Sequence, residues 1–158
     1  MSRKAAILSV TALIVAAVFM GLILVNKGDG PIMGMILSDK MIATVQDFEN
    51  QSSSMDSGIY LNLKTAFNKL NEESANDIPA GKDLFASFYM VECPKGIETT
   101  VKWTTEAGTL KEETKRLETD RRGIISYLLD RGNVRNGNYT LELYIEGIKK
   151  FEHGFTVR

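Results

Sequence analysis

Hydrophobic and polar positions divide the chain into two regimes. Residues 5–25 form a run of twenty-one positions without a charged side chain, whereas beyond Asp83 apolar and polar residues alternate in short stretches punctuated by glycine. At a rise of ~1.5 Å per residue the first run makes a helix of roughly 31 Å, enough to cross the hydrocarbon of a bilayer. The second regime predicts strands. Residues 84–92 are apolar on both faces, as in a central strand, while Ile97, Thr99, Val101 and Trp103 alternate with Glu98, Thr100 and Lys102. Residues 109–117 are polar and read as an edge, and residues 124–129 follow the turn residue Gly123. Tyr139, Leu141, Leu143 and Ile145 alternate with Thr140, Glu142, Tyr144 and Glu146, and residues 151–157 close the pattern. Short strands at this spacing predict a mainly β fold, an antiparallel sandwich or barrel.

Between the regimes the pattern is less regular. Residues 26–31, Asn-Lys-Gly-Asp-Gly-Pro, have the composition of a stalk. Residues 32–37 and 41–45 give two short β-like stretches, and residues 49–58 read as a polar loop. Ile59, Leu63, Phe67 and Leu70 fall at helical spacing behind Asp56 or Ser57 as N-caps, although Ile59-Tyr-Leu-Asn-Leu63 also alternates as a strand does. The longer match favours a helix, so one short helical insertion is expected over 57–73.

The apolar run exceeds the usual 7–15 residues of a signal-peptide core, and no Ala-x-Ala site follows it. An uncleaved anchor is therefore expected, with a cleaved signal as the alternative. Arg3 and Lys4 precede the span and Lys27 beyond it is offset by Asp29, which places residues 1–4 in the cytoplasm and the C-terminal domain outside it. Ala5, Ser9, Ala12 and Ala16 lie on one helical face, a stripe of small side chains that would let a partner helix approach closely.

Charge narrows the partners. Nineteen basic residues stand against twenty acidic ones, and no polybasic run points to nucleic acid or to strong lipid attraction. Cys93 is the single cysteine, so no intrachain disulfide staples the domain; a buried thiol is the simpler reading of its place at the end of an apolar run.

Pro94-Lys-Gly96, Trp103, Gly108 and the closing Gly137-Asn-Tyr139-Thr-Leu-Glu-Leu-Tyr144-Ile-Glu-Gly147 with Phe155-Thr-Val157 resemble bacterial extracytoplasmic immunoglobulin-like domains. The resemblance covers residues ~80–158 and implies an Ig-like antiparallel β-sandwich, here expected over 32–158. It implies core roles for Trp103, Tyr139 and Phe155, the Tyr139 hydroxyl being tied to the chain upstream. The absence of a cysteine pair between the sheets and the expected helix both depart from the pattern.

Little in the chain suggests catalysis. His153 is the single histidine, one ligand where zinc takes four, and it is expected to be structural. Glu72-Glu73 and Glu112-Glu113 read as solvated pairs, the latter pointing to opposite faces of a strand. Arg121-Arg122, before a turn glycine, is either an exposed turn or an anion site. No catalytic, metal or cofactor site is expected. The expected function is a membrane-anchored, extracytoplasmic, non-enzymatic module that binds a protein or glycan. The alternative is an accessory subunit of a membrane complex, docked through its transmembrane helix.

Overall fold

The structure, a computed structural model, describes residues 31–53, 56–66 and 69–158. The predicted span at 5–25, with its small-residue face Ala5, Ser9, Ala12 and Ala16, lies outside the described residues. Among the described residues no helix is long and apolar enough to cross a membrane.

Pro31–Arg158 form one compact unit, with nine strands and one helix among the described residues. They are β1 (Ile32–Ser38), α1 (Val45–Ser52), β2 (Ile59–Ala66), β3 (Lys69–Ala75), β4 (Leu84–Cys93), β5 (Glu98–Thr105), β6 (Gly108–Arg116), β7 (Arg121–Leu129), β8 (Gly137–Ile145) and β9 (Ile148–Val157). Two antiparallel sheets result: a five-stranded sheet ordered β3-β2-β1-β4-β7 and a four-stranded sheet ordered β6-β5-β8-β9. The mainly β, sandwich-like class expected from the alternation is what the chain adopts.

The main core lies between the sheets. Met35, Leu37, Leu84, Ala86, Phe88 and Met90 of the five-stranded sheet meet Val101, Trp103, Leu141, Leu143 and Phe151 of the other. A second, smaller cluster covers the opposite face of the five-stranded sheet, where Phe48 of α1 packs with Ile36, Ile42, Ile59 and Tyr89. Gly34 permits this close approach. A Cβ there would lie 3.0 Å from the Leu63 carbonyl oxygen and 3.1 Å from the Phe48 ring, tighter than a well-packed interior accommodates without movement. Helix α1 starts at Thr44, whose hydroxyl accepts from the Asp47 amide at 3.1 Å, satisfying one of the free donors of the first turn.

Three expectations need correction. The helix expected over 57–73 is replaced, among the described residues, by strands β2 and β3 paired antiparallel, with Leu61 opposite Ala75 and Ala66 opposite Lys69. Both faces of β2 are covered, so Ile59, Tyr60, Leu61, Asn62 and Leu63 are all buried, and a doubly buried strand shows no clean alternation. The short helix lies instead at Val45–Ser52, running from the end of the expected β-like stretch at 41–45 into the expected polar loop at 49–58. Residues 41–45, expected to be β-like, form no strand: Thr44 caps and Val45 begins α1, Ile42 is held by the second cluster and Met41 is exposed.

Candidate binding groove

Trp103 is fully buried, and its indole Nε1 has no hydrogen-bond partner among the described residues. Phe155 is half-buried, stacking on Tyr139 at a centroid distance of 5.4 Å and meeting Trp103 edge-on at 6.3 Å. Tyr139 opens β8 and ties the preceding loop. Its hydroxyl accepts from the Arg135 amide at 2.8 Å and faces the carbonyl oxygens of Arg135 and Asn133 at 2.8 and 3.0 Å. These three aromatics thus hold the end of the sandwich at which β8 begins.

Cys93 is buried at the end of β4, and burial raises its thiol pKa to about 11, which keeps it protonated and unreactive at neutral pH. His153 stacks on Phe151 at 6.3 Å, with its Nε2 3.9 Å from Glu72 Oε2 on β3. Burial lowers the imidazole's pKa, opposed by the Glu72 charge. Among the described residues no group of three or more His, Cys, Asp or Glu side chains is placed to hold a metal ion.

Where β6 faces β7, the polar residues are not merely solvated. Lys111, Glu113 and Lys115 sit two apart, so the pleat turns them to one side, and there they close the seam between the sheets. Lys111 Nζ donates to the Leu128 carbonyl and Lys115 Nζ to that of Ser126, each at 2.5 Å. Glu113 lies 3.1 Å from both ammonium groups. Burial pushes its carboxyl up, but the hydrogen bonds and charges of the two lysines outweigh this and hold its pKa below the ordinary value. Lys115 also lies 4.9 Å above the Tyr127 ring, whose hydroxyl is engaged with Thr99. Glu112 points the other way and pairs with Lys102 at 3.1 Å.

One end of this seam opens into a groove of about 790 Å³ bordered by the turn after β4, the turn between β6 and β7, and the residues leading into α1. Gly123 lets the 117–119 turn lie against β7, since a Cβ there would meet the Thr119 hydroxyl and come within 2.9 Å of a Leu117 methyl. Four cationic side chains line the groove, Lys95, Lys115, Arg116 and Arg122, against one acidic residue, Glu118. Lys115 is committed to the seam. Arg116 makes a 3.4 Å contact with Glu98 on the exposed surface, an arrangement that contributes little in water. Lys95 and Arg122 are exposed and have no ion-pair partner among the described residues.

Arg122 also borders a second concavity, of about 1010 Å³, with Met33, Tyr89, Val91 and Arg121. Arg121 takes a left-handed φ of 66° opposite Cys93, where a bulge interrupts the β4–β7 register. The arginine doublet was visible in the sequence as a candidate anion site. Lys95, Lys115 and Arg116 were not, because three separate turns bring them together; the i, i+2 spacing of Lys111, Glu113 and Lys115 was the one available sign of the seam.

No protein-family model matches the chain, and no curated protein matches it.

Proposed function

We propose that the chain is a membrane-anchored, extracytoplasmic Ig-like module that works by binding rather than by catalysis, with the groove between Lys95 and Arg122 as its contact site. The carrying observation is the groove itself: unpaired cations and backbone turns, with no nucleophile and base set against each other, suit recognition of an anionic group. The Ig-like reading is supported by connectivity. Without the β2–β3 hairpin the sheets read β1-β4-β7 and β6-β5-β8-β9, so that the chain crosses from sheet to sheet as strands A-B-E and C′-C-F-G would. In that frame Trp103 falls on the third strand and Tyr139 near the start of the sixth, with its hydroxyl bonded upstream, as in the tyrosine corner of such domains. The anchored, outward topology rests on the uncharged run at 5–25 and on Arg3 and Lys4 before it.

Protease added to intact spheroplasts tests the topology. The expected result is digestion of residues 31–158 with the extreme N-terminus protected; protection of the whole chain until lysis would reverse it. A mature N-terminus near residue 31 would replace the anchor with a cleaved signal. Exchanging 5–25 for an unrelated leucine-rich span should leave partner recovery in detergent unchanged. Loss of recovery would favour an accessory subunit docked through Ala5, Ser9, Ala12 and Ala16.

A further inference from the structure

We infer that the second concavity, which shares Arg122 with the groove, receives a short peptide segment of a protein partner, one that sets a large apolar side chain between a basic and an acidic residue. The inference rests on the reading of the chain as a binding module and names the class of its partner. The first support is how the strands are built where they meet this concavity. Ile32 of β1 lies opposite Met90 and Gly34 opposite Tyr89, so Met33 is an extra residue on β1. Val91 of β4 lies opposite Arg122 and Cys93 opposite Arg121, so Glu92 is an extra residue on β4. Both extra residues border the same space of about 1010 Å³. A bulge leaves its added residue outside the ladder and re-aims the side chain, and here two adjacent strands do so at one place. Glu92 at φ 54° and Arg121 at φ 66° are also two of the three non-glycine residues with a left-handed backbone among the described residues. Residues with a Cβ enter that region at a cost, and such positions gather where proteins contact ligands.

The second support is the lining. Met33 is 45% exposed, and with half-buried Val91 and exposed Pro94 it gives the concavity an apolar surface. A thioether side chain adapts its shape to varied apolar partners. Three acids, Glu49, Glu92 and Asp120, and two bases, Arg121 and Arg122, stand around it, all five exposed. None of the five has an ion-pair partner among the described residues, whereas Lys111, Glu113 and Lys115 of the β6–β7 seam pair with one another. Unpaired charges of both signs oppose a polyanion and a uniformly cationic ligand alike, since either would meet like charge. A peptide with one residue of each sign meets opposite charge on both sides, while its apolar side chain covers the exposed methionine. In such a contact the rim charges set register and partner choice, and the apolar anchor supplies most of the affinity.

The test pans the full chain, kept in detergent throughout, against a random-peptide display library, with the bare support in the same detergent removing background. Enriched sequences should carry leucine, methionine, phenylalanine or tryptophan between a basic and an acidic residue. A synthetic peptide of the leading sequence is then titrated against variants. Met33→Ser should weaken it roughly tenfold, the loss of one apolar anchor. Glu92→Arg together with Arg121→Glu should transfer the preference to a peptide with its two charges exchanged, a reversal that a purely structural role would not produce. Lys95→Ser, in the adjoining groove, should leave the affinity unchanged. An unaltered Trp103 emission checks that the variants fold; should the exchange variant not fold, Glu92→Gln and Arg121→Gln singly should each weaken binding about threefold. Enriched sequences with charges of one sign only, or binding untouched by Met33→Ser and by the charge variants, would overturn the proposal. Dependence on Lys95 in their place would overturn this proposal alone and leave the groove as the module's contact site. No enrichment over the bare support would remove the binding reading and this proposal together.

Discussion

The two sheets bury their strands differently. In the four-stranded sheet one face packs inward and the other meets water, so β5 and β8 alternate buried and half-exposed positions along their length. In the five-stranded sheet the main core covers one face and α1 with Phe48 covers part of the other, so β4 has five consecutive buried residues, 86–90. The first sheet announces its strands through their alternation; the second conceals them, because a segment apolar on every side fits a helix as well as a strand. The same difference predicts unequal responses to perturbation. The inner core should carry the fold, and the outer cluster should carry only the helix and its local order.

Trp103→Ala strikes the inner core and should cost ~3–5 kcal/mol, a large fraction of the stability of a domain of this size. Urea unfolding should show the midpoint collapse or no folded baseline at all; an unchanged midpoint would contradict the asymmetry. Phe48→Ala empties the outer cluster. Because an eight-residue helix can lift away without opening the sandwich, its cost should fall at or below about 3 kcal/mol, the lower end for such truncations. Amide exchange should accelerate in 45–52 and stay slow in β5 and β8. Gly34→Ala sharpens the point, since it crowds the outer cluster while leaving the inner core untouched. It should cost about 1–3 kcal/mol, and Phe48→Leu in the same chain should recover part of that loss by thermal melting.

The smallest effects concern the two lateral seams. At the β6–β7 seam the folded pKa of Glu113 is depressed, so its contribution is complete above the unfolded carboxyl value of ~4.3 and is lost as pH falls through the folded value. At the β3–β9 side the folded pKa of His153 is also depressed. There the unfolded chain takes up the proton first, and stability declines as pH falls from ~6.5 toward the folded value. Glu113→Gln should flatten the lower window of a stability–pH curve and His153→Gln the upper one. Identical curves for both variants would mean that the seams are not independent.

Sequence reading went as far as alternation reached. The strands from 97 onward and the polar edge at β6 were legible from a wet face or a turn glycine, and β4 from being apolar on both faces over a strand's length. The β2–β3 hairpin was missed because Ile59, Leu63 and Leu70 happen to satisfy helical spacing. The strand-like alternation of 59–63 was shorter than that helical match, and burial of β2 on both faces left no wet face to strengthen it. Helix α1 was missed for the opposite reason: it fully buries Phe48 and only part of Val45, and an eight-residue helix with so few apolar positions resembles a polar loop. In the groove, Arg121 and Arg122 were visible as neighbours, but the convergence of Lys95, Arg116 and Arg122 depends on sheet order and on three turns.

The lysine clasp on β7 also bears on how copies meet. An exposed strand edge ordinarily offers its carbonyl groups as a template for a neighbour, but on β7 those of Ser126 and Leu128 are taken by Lys115 and Lys111. Of the two outer strands of the five-stranded sheet, β3 and β7, β7 is therefore the one less open to another strand. A sheet that extends in one direction joins a second copy edge to edge and then stops, because the resulting pair has a clasped β7 at either end. Association through the five-stranded sheet would therefore stop at pairs, and growth beyond twice the protomer mass in sedimentation at increasing concentration would have to use the β6 or β9 edge of the other sheet.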